Sequence, residues 1–153
     1  MLNVVLVAPE IPQNTGNIAR SALALGLKLH IVKTCGFSLE TAAVKRAGVD
    51  YWKYVDITTW EDLDEFLASN DTGKMHFFSK RGKVRYDSAA YRHGDFLVFG
   101  CESAGLPANI LEKYGDRSRY LPISDTRIRS LNLASAATAA MYEAMRQLDF
   151  KEV

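Results

Sequence analysis

No apolar run among the 153 residues approaches the roughly 18 that a membrane-spanning helix needs. The opening MLNVVLVAPE lacks the basic stretch of a secretory signal and reads as a strand in a cytoplasmic protein. Only two cysteines occur, Cys35 and Cys101, 66 positions apart and in no C-x-x-C pair. Neither a disulfide framework nor a structural zinc site is expected from them, and both read as buried thiols. The three histidines show no metal-ligand spacing. His30 and His76 read as structural residues in apolar strands, and His93 as a solvated turn residue. There is no Walker A sequence and no G-x-G-x-x-G, so a nucleotide-binding Rossmann reading lacks its main support. Internal repeats, low-complexity tracts and linkers are also lacking, which leaves one domain over residues 1–153. Nor is there an excess of either charge: 19 Lys and Arg against 18 Asp and Glu give a net charge of +1, which by its sum does not announce a nucleic-acid binder.

Distribution says more than the sum. Lys80, Arg81, Lys83 and Arg85 form one basic cluster, and Arg117, Arg119, Arg127 and Arg129 another. Each is either a solvated face or a local phosphate-binding surface, and composition leaves both open. Apolar residues at 48% suffice for a core. Leu2 to Ala8, Leu27 to Val32, Met75 to Phe78, Phe96 to Phe99 and Tyr120 to Ile123 read as strands. Between them, helices are expected from Asn14 or Thr15 as cap to about Leu25, stopped by Gly26. Others are expected from Ser38 to about Gly48, from a capping box at Thr59 to Asp62 on to Ser69, from Pro107 to Tyr114, and from Leu131 to Leu148. The alternation predicts an α/β domain with a mainly parallel sheet flanked by helices. Ligands of such sheets sit outside the carboxyl ends of the strands, so the segments after Phe78, Phe99 and Leu121 are the places to look.

Three stretches carry candidate chemistry. In Asn14-Thr-Gly-Asn-Ile-Ala-Arg20, the side chains of Asn17 and Arg20 share one side of a helix and could hold a ribose–phosphate unit; an ordinary capped helix with a surface arginine fits as well. In Phe99-Gly-Cys-Glu-Ser-Ala-Gly-Leu-Pro107, Gly100 and Gly105 suit a backbone that touches a ligand. Glu102, the single acid there, either faces a cationic group or binds loop N–H groups. The third stretch is Leu121-Pro-Ile123 followed by Arg129-Ser-Leu-Asn-Leu-Ala-Ser135, where Ser130 or Asn132 can cap the last helix and also meet a ligand.

The order N-x-G-N-x-x-R, F-G-x-E-x-x-G-L-P, L-P-I, R-S-L-N-L closely resembles the SPOUT methyltransferases over essentially the whole chain. The lack of an appended domain resembles the minimal branch that methylates ribose at tRNA wobble position 34. The resemblance implies a deep C-terminal trefoil knot, a feature too rare for patterning to propose. It implies S-adenosylmethionine as cofactor, S-adenosylhomocysteine as product and no metal. The cofactor would be held by Phe78, Gly100, Glu102, Gly105, Leu121, Ile123, Ser130, Leu131 and Asn132. Catalysis would fall to Arg20 with Asn14 and Asn17. Because a guanidinium is a poor base at neutral pH, Arg20 is expected to clamp a phosphate and steady the developing alkoxide. Lys80, Arg81, Arg127 and Arg129 would contact RNA. A homodimer is implied, with Arg20 arriving from the partner and with Ala137, Met141 and Tyr142 of the last helix at the interface. The apolar stripe Leu133, Ala137, Ala140, Met141, Ala144 and Leu148 is also open to packing on the chain's own sheet alone. The expected substrate is tRNA, with C or modified U at position 34 of leucine tRNAs. Another tRNA or rRNA position, or a non-catalytic RNA-binding dimer, are the alternatives. One departure is Ala134, where the resembled motif has Ser.

Overall fold

The computed structural model describes residues 1–33 and 51–151. Its seven strands are β1 (Asn3–Val7), β2 (Lys28–Val32), β3 (Ile57–Trp60), β4 (Met75–Phe78), β5 (Val84–Arg85), β6 (Phe96–Phe99) and β7 (Ser118–Tyr120). They form one sheet in the order β3-β2-β1-β6-β4-β7-β5, with every pairing parallel. The four described α-helices are α1 (Pro12–Ala24), α2 (Leu63–Ser69), α3 (Ala108–Tyr114) and α4 (Leu133–Gln147). The expected helix from Ser38 to Gly48, and Cys35, lie outside the described residues.

Alternation along the strands builds two cores. Val4 and Leu6 of β1, Leu97 and Phe99 of β6, and Phe78 of β4 face the side covered by α1 and α4. Val5 and Val7, Phe96 and Val98, and Met75 and Phe77 face the side covered by Phe66 of α2 and Ile110 of α3. A parallel sheet covered on both faces explains why β6 is a continuous apolar run and why β1 and β4 are apolar but for Asn3 and His76. Helix α4 packs on α1, with the Ser21 and Thr138 hydroxyls 2.9 Å apart between them, and its Ala137, Ala140, Met141 and Ala144 are fully buried in this core. The small side chains on that stripe do permit close helix approach, but the helix approached is α1 of the same chain.

Some boundaries differ from expectation. Pro12 takes the first helical position of α1 and Ile11 its cap position, so Asn14 and Thr15 lie inside the first turn, buried. The far end follows the expected stop. Gly26 adopts φ 66°, with Leu27 N–H bonded to Ala22 O and Gly26 N–H to Leu23 O. Thr59 belongs to β3, and the cap of α2 is Asp62, whose carboxylate accepts Glu65 N–H at 2.8 Å. β3 was hidden by its polar threonines and half-buried edge position, β5 by its two-residue length. β7 ends at Tyr120 rather than running to Ile123, and the chain then follows an irregular path to Asn132.

His30, on β2, is nearly fully buried. It accepts the Trp60 indole N–H at Nδ1 (3.1 Å) and meets Asn3 Oδ1 at Nε2 (3.1 Å). Burial, reinforced by Lys28 and opposed by Asp56, lowers its pKa to about 4. The unfolded chain takes up this proton near the ordinary value of about 6.5, so stability is complete above that pH and is lost as pH falls towards 4. The loss is about 3 kcal/mol at most. Urea unfolding at pH 7 and pH 4.5, followed by tryptophan fluorescence, checks it: His30→Gln should flatten the pH dependence, and parallel profiles for the two proteins would sink the assignment.

Candidate active site

Sheet order reverses between β1 and β6. After β1 the chain turns to α1 on one face of the sheet and after β6 to α3 on the other, which places a ligand site at the strands' carboxyl ends. A cavity of about 890 Å³ opens there, of a size suited to a nucleoside-type ligand. Four segments wall it: Val7 to Ile11 after β1, Phe78 to Arg81 after β4, Gly100 to Pro107 after β6, and the chain after β7 through Leu121, Ile123 and Ser130 to Leu133. Phe78 and Phe99 stack with centroids 4.5 Å apart beneath it. Gly100 lies against the backbone of the returning loop, where a Cβ would overlap Gly105 and the amide of Leu106. Gly105 itself turns with φ 73°. Ala8 adopts φ 49°, a costly conformation for a residue with a side chain.

One hydrogen-bonded relay joins the three motif stretches. Glu102 accepts the backbone N–H groups of Glu10 (2.7 Å) and Ile11 (3.0 Å) and the side-chain amide of Asn14 (3.2 Å). Asn14 Oδ1 in turn accepts Asn132 Nδ2–H at 3.0 Å, and Asn132 Oδ1 accepts Ser135 N–H at 3.2 Å as the cap of α4. Every donor points one way along this chain, because an ionised carboxylate can only accept. Of the two open roles for Glu102, the observed one is therefore binding of loop N–H groups. It binds the N–H groups of the cap residue Ile11 and of Glu10 before it, placing a carboxylate at the N-terminus of α1. Of the two cap candidates for α4, Asn132 is the one used. A second clamp crosses the first: Glu10 accepts Ser103 N–H (2.9 Å) and Oγ–H (2.6 Å), which hold its carboxyl below the usual range.

All nine residues expected at the cofactor line this one cavity: Phe78, Gly100, Glu102, Gly105, Leu121, Ile123, Ser130, Leu131 and Asn132. Asn14, Lys80 and Arg81 line it too. The remaining residues fall elsewhere. Asn17 lies with Asn132, Ser135, Thr138 and Tyr142 around a shallow depression on the outer face of α1 and α4. Arg20, exposed on α1, is not part of the cavity wall; its guanidinium carbon sits 5.5 Å from the centroid of the Tyr51 ring. Arg127 is exposed and pairs with Asp125 at 2.5 Å, and Arg129 is exposed. Ala137 and Met141 require correction. Both are fully buried within the chain and offer no surface to a second subunit, whereas Tyr142 is exposed.

Val7, Ala8 and Ile11 were missed as wall residues. The strand-end rule that picked out the other loops applies equally after β1, and Pro9 and Pro12 mark that turn. Also unforeseen is a buried row across β6, β4 and β7. Asp95 meets His76 Nε2 at 2.9 Å, and His76 Nδ1 accepts Arg119 Nε–H at 3.1 Å. Among the described residues no three His, Cys, Asp or Glu side chains cluster in a way that could hold a metal ion, and no helix is long and apolar enough to cross a membrane.

A parallel α/β domain with a nucleoside-sized cavity at its switch point, walled by glycine turns and Asn–Glu amide contacts, defines a ligand-binding domain of the open-sheet class. Residues 1–142 match the model of the SpoU rRNA Methylase family, and the chain belongs to that family. It is 42% identical to a tRNA (cytidine(34)-2'-O)-methyltransferase of Burkholderia ambifaria, over 99% of this chain and 98% of the relative. A solved structure described as giving insight into 2-OH methylation of C/U34 on tRNA superposes with a TM-score of 0.92 at 44% identity, over 99% of this chain and 98% of the other. The SpoU methyltransferase AviRb from Streptomyces viridochromogenes, solved in complex with AdoMet, superposes with a TM-score of 0.84 at 26% identity, over 97% of this chain and 61% of the other. The seven-stranded parallel sheet is thus the sheet of the SpoU methyltransferases.

Proposed function

We propose that this chain methylates the ribose 2'-oxygen of tRNA nucleotide 34, with S-adenosylmethionine as methyl donor, as a cytoplasmic homodimer. The carrying observation is the convergence of three separate motifs on one cavity through the Glu102–Asn14–Asn132 relay. Near-full-length similarity to tRNA (cytidine(34)-2'-O)-methyltransferases supports this choice of substrate.

The residues present fit the cofactor. Phe78, Leu121, Ile123 and Leu131 offer apolar walls, and Gly100 lets the loop from Cys101 to Leu106 fold back tightly against it at the cavity wall. When bound, S-adenosylmethionine supplies a methyl group already activated on sulfonium. The chain must then position the 2'-hydroxyl and ease loss of its proton. Lys80 and Arg81 at the cavity rim would hold backbone phosphates of the RNA, with Arg127 and Arg129 further out. Arg20 would clamp a phosphate beside the reacting ribose and steady the developing alkoxide, with Asn17 orienting the same unit. Since Arg20 stands apart from its own chain's cavity, the partner's cavity is the one it would serve. The outer face bearing Asn17, Ser135, Thr138 and Tyr142 is where the second subunit would sit. The trefoil knot would hold the irregular segment from Leu121 to Asn132 closed over the ligand. Leucine tRNAs are the proposed species.

Labelled S-adenosylmethionine with total tRNA from a deletion strain, followed by nucleoside mapping, tests the whole reading. A 2'-O-methylated nucleotide 34 in leucine tRNA is expected; methylation elsewhere, or none, overturns it. Arg20→Lys should cut turnover by about 100-fold or more, because an ammonium cannot reproduce the forked geometry. Near-normal turnover of that variant in the same assay would remove the clamp.

A further inference from the structure

Tyr51, just before the short 3-10 turn Trp52–Tyr54, touches α1 twice. Its hydroxyl donates to the carbonyl of Gly16 at 3.2 Å. Its ring lies under the guanidinium of Arg20, 5.5 Å from centroid to carbon. In helical geometry the carbonyl of Gly16 is also the one that receives the amide of Arg20, four residues on. A single aromatic side chain therefore grips both the backbone turn from which Arg20 springs and the cationic head it carries.

Arg20 is exposed, and among the described residues no carboxylate pairs with it. An exposed arginine samples many rotamers and must give them up to meet an oxyanion. Seating over an aromatic face limits that sampling, and the ring face, unlike a carboxylate, offers no lone pairs to take up the guanidinium's donors. A carboxylate in the same place would consume those donors and neutralise the charge. Burial raises the Tyr51 phenol above its ordinary value, against the opposing pull of Arg20, so the hydroxyl stays a donor at working pH.

We propose that Tyr51 is a positioning residue for methyl transfer, its ring pre-orienting the Arg20 guanidinium towards the reacting ribose–phosphate unit. This rests on the reading of Arg20 given above. The ring, rather than the hydroxyl, carries the effect.

The test compares Tyr51→Leu, Tyr51→Phe and Arg20→Ala in the full-length protein. Tyr51→Leu should lower kcat about 10- to 100-fold, with the KM for S-adenosylmethionine and the melting temperature close to the parent. Tyr51→Phe should stay within about threefold of the parent, since the stacking face survives. Ring-current shifts on the Arg20 side-chain protons in NMR spectra should persist in Tyr51→Phe and vanish in Tyr51→Leu. Full turnover in Tyr51→Leu, equal losses in both tyrosine variants, or a kcat loss matched by a fall in melting temperature each overturn the proposal. If Arg20→Ala is inactive while Tyr51→Leu is unimpaired, only the role of Tyr51 fails. If Arg20→Ala itself turns over normally, the role of Arg20 falls as well.

Discussion

Gly100→Ala is expected to abolish S-adenosylmethionine binding at concentrations that saturate the parent protein. The added Cβ would overlap the backbone of Gly105 and the amide of Leu106, with no flexible side chain there to yield. The loop must shift instead, and it is tied down on both sides. Gly105 N–H bonds to Cys101 O at 2.9 Å, and Glu102 and Ser103 are clamped to the loop after β1. Forced movement of packed backbone costs at least about 1–3 kcal/mol, and a displaced cradle loses its contacts with the ligand besides, so a fall in affinity of about 100-fold or more is expected. Isothermal titration measures it, with circular dichroism as a check that the sheet persists. Affinity within about threefold of the parent in a folded variant would show that the ligand does not lie against Gly100.

The same variant tests whether the site is shared. Gly100→Ala spoils the cavity and leaves Arg20; Arg20→Ala does the reverse. If Arg20 serves the partner's cavity, a mixed dimer has one intact pairing. Random reassortment of equal amounts should then recover about a quarter of parental activity from two inactive proteins. Were Arg20 to serve its own cavity, no mixture would recover any.

How far residues foretell such a site depends on whether a local pattern or a distant partner sets the outcome. The apolar runs of β1, β4 and β6 announced buried parallel strands because both their faces are covered. The glycines at 100 and 105 and the strand-end rule together point to the cavity wall. A cap at Ser130 or Asn132 was recognisable for the same local reason, and the fold uses Asn132. The role of Glu102 was not recoverable this way. Its three donors come from residues about ninety positions away, and nothing beside it in sequence distinguishes a ligand contact from a loop clasp. The α4 stripe misled for a related reason: small residues on a helix say that another helix comes close, not whose. Ala137 and Met141 are buried in the core of their own chain, on the helix that packs against α1. β3 and β5 carry too little apolar signal to be seen without their neighbours.

Arg119→Met should destabilise the fold more than any other single change at the ends of β6, β4 and β7. Asp95, His76 and Arg119 are all buried, one on each of three adjacent strands or at its start. Arginine has no acceptor, so the Arg119 Nε–H contact fixes His76 Nδ1 as the lone-pair side and leaves the imidazole proton on Nε2, where it meets the Asp95 carboxylate. The row is thus a carboxylate and a guanidinium joined through a neutral ring, with Asp95 also accepting Arg92 N–H at 2.8 Å. Burial pulls the Arg119 pKa down, yet a guanidinium keeps its proton in proteins, so the cation remains. Methionine would fill much of the volume but leave His76 Nδ1 without its donor and the buried Asp95 charge without its counterpart. Breaking a buried pair on one side costs about 3–5 kcal/mol, which in a domain of this size lowers the melting temperature by about 10 °C. Asp95→Asn in the same background should cost less than it does alone, since the charge it removes is already unpaired. Cofactor affinity should fall as well, because Ser79 N–H hangs on Arg119 O at 2.9 Å and β7 leads straight into Leu121 on the cavity wall. Urea unfolding of the two single variants and the double variant measures the coupling. Strictly additive losses, or an Arg119→Met cost below about 1 kcal/mol, would mean that the row is not an electrostatic unit and that packing alone seats β7.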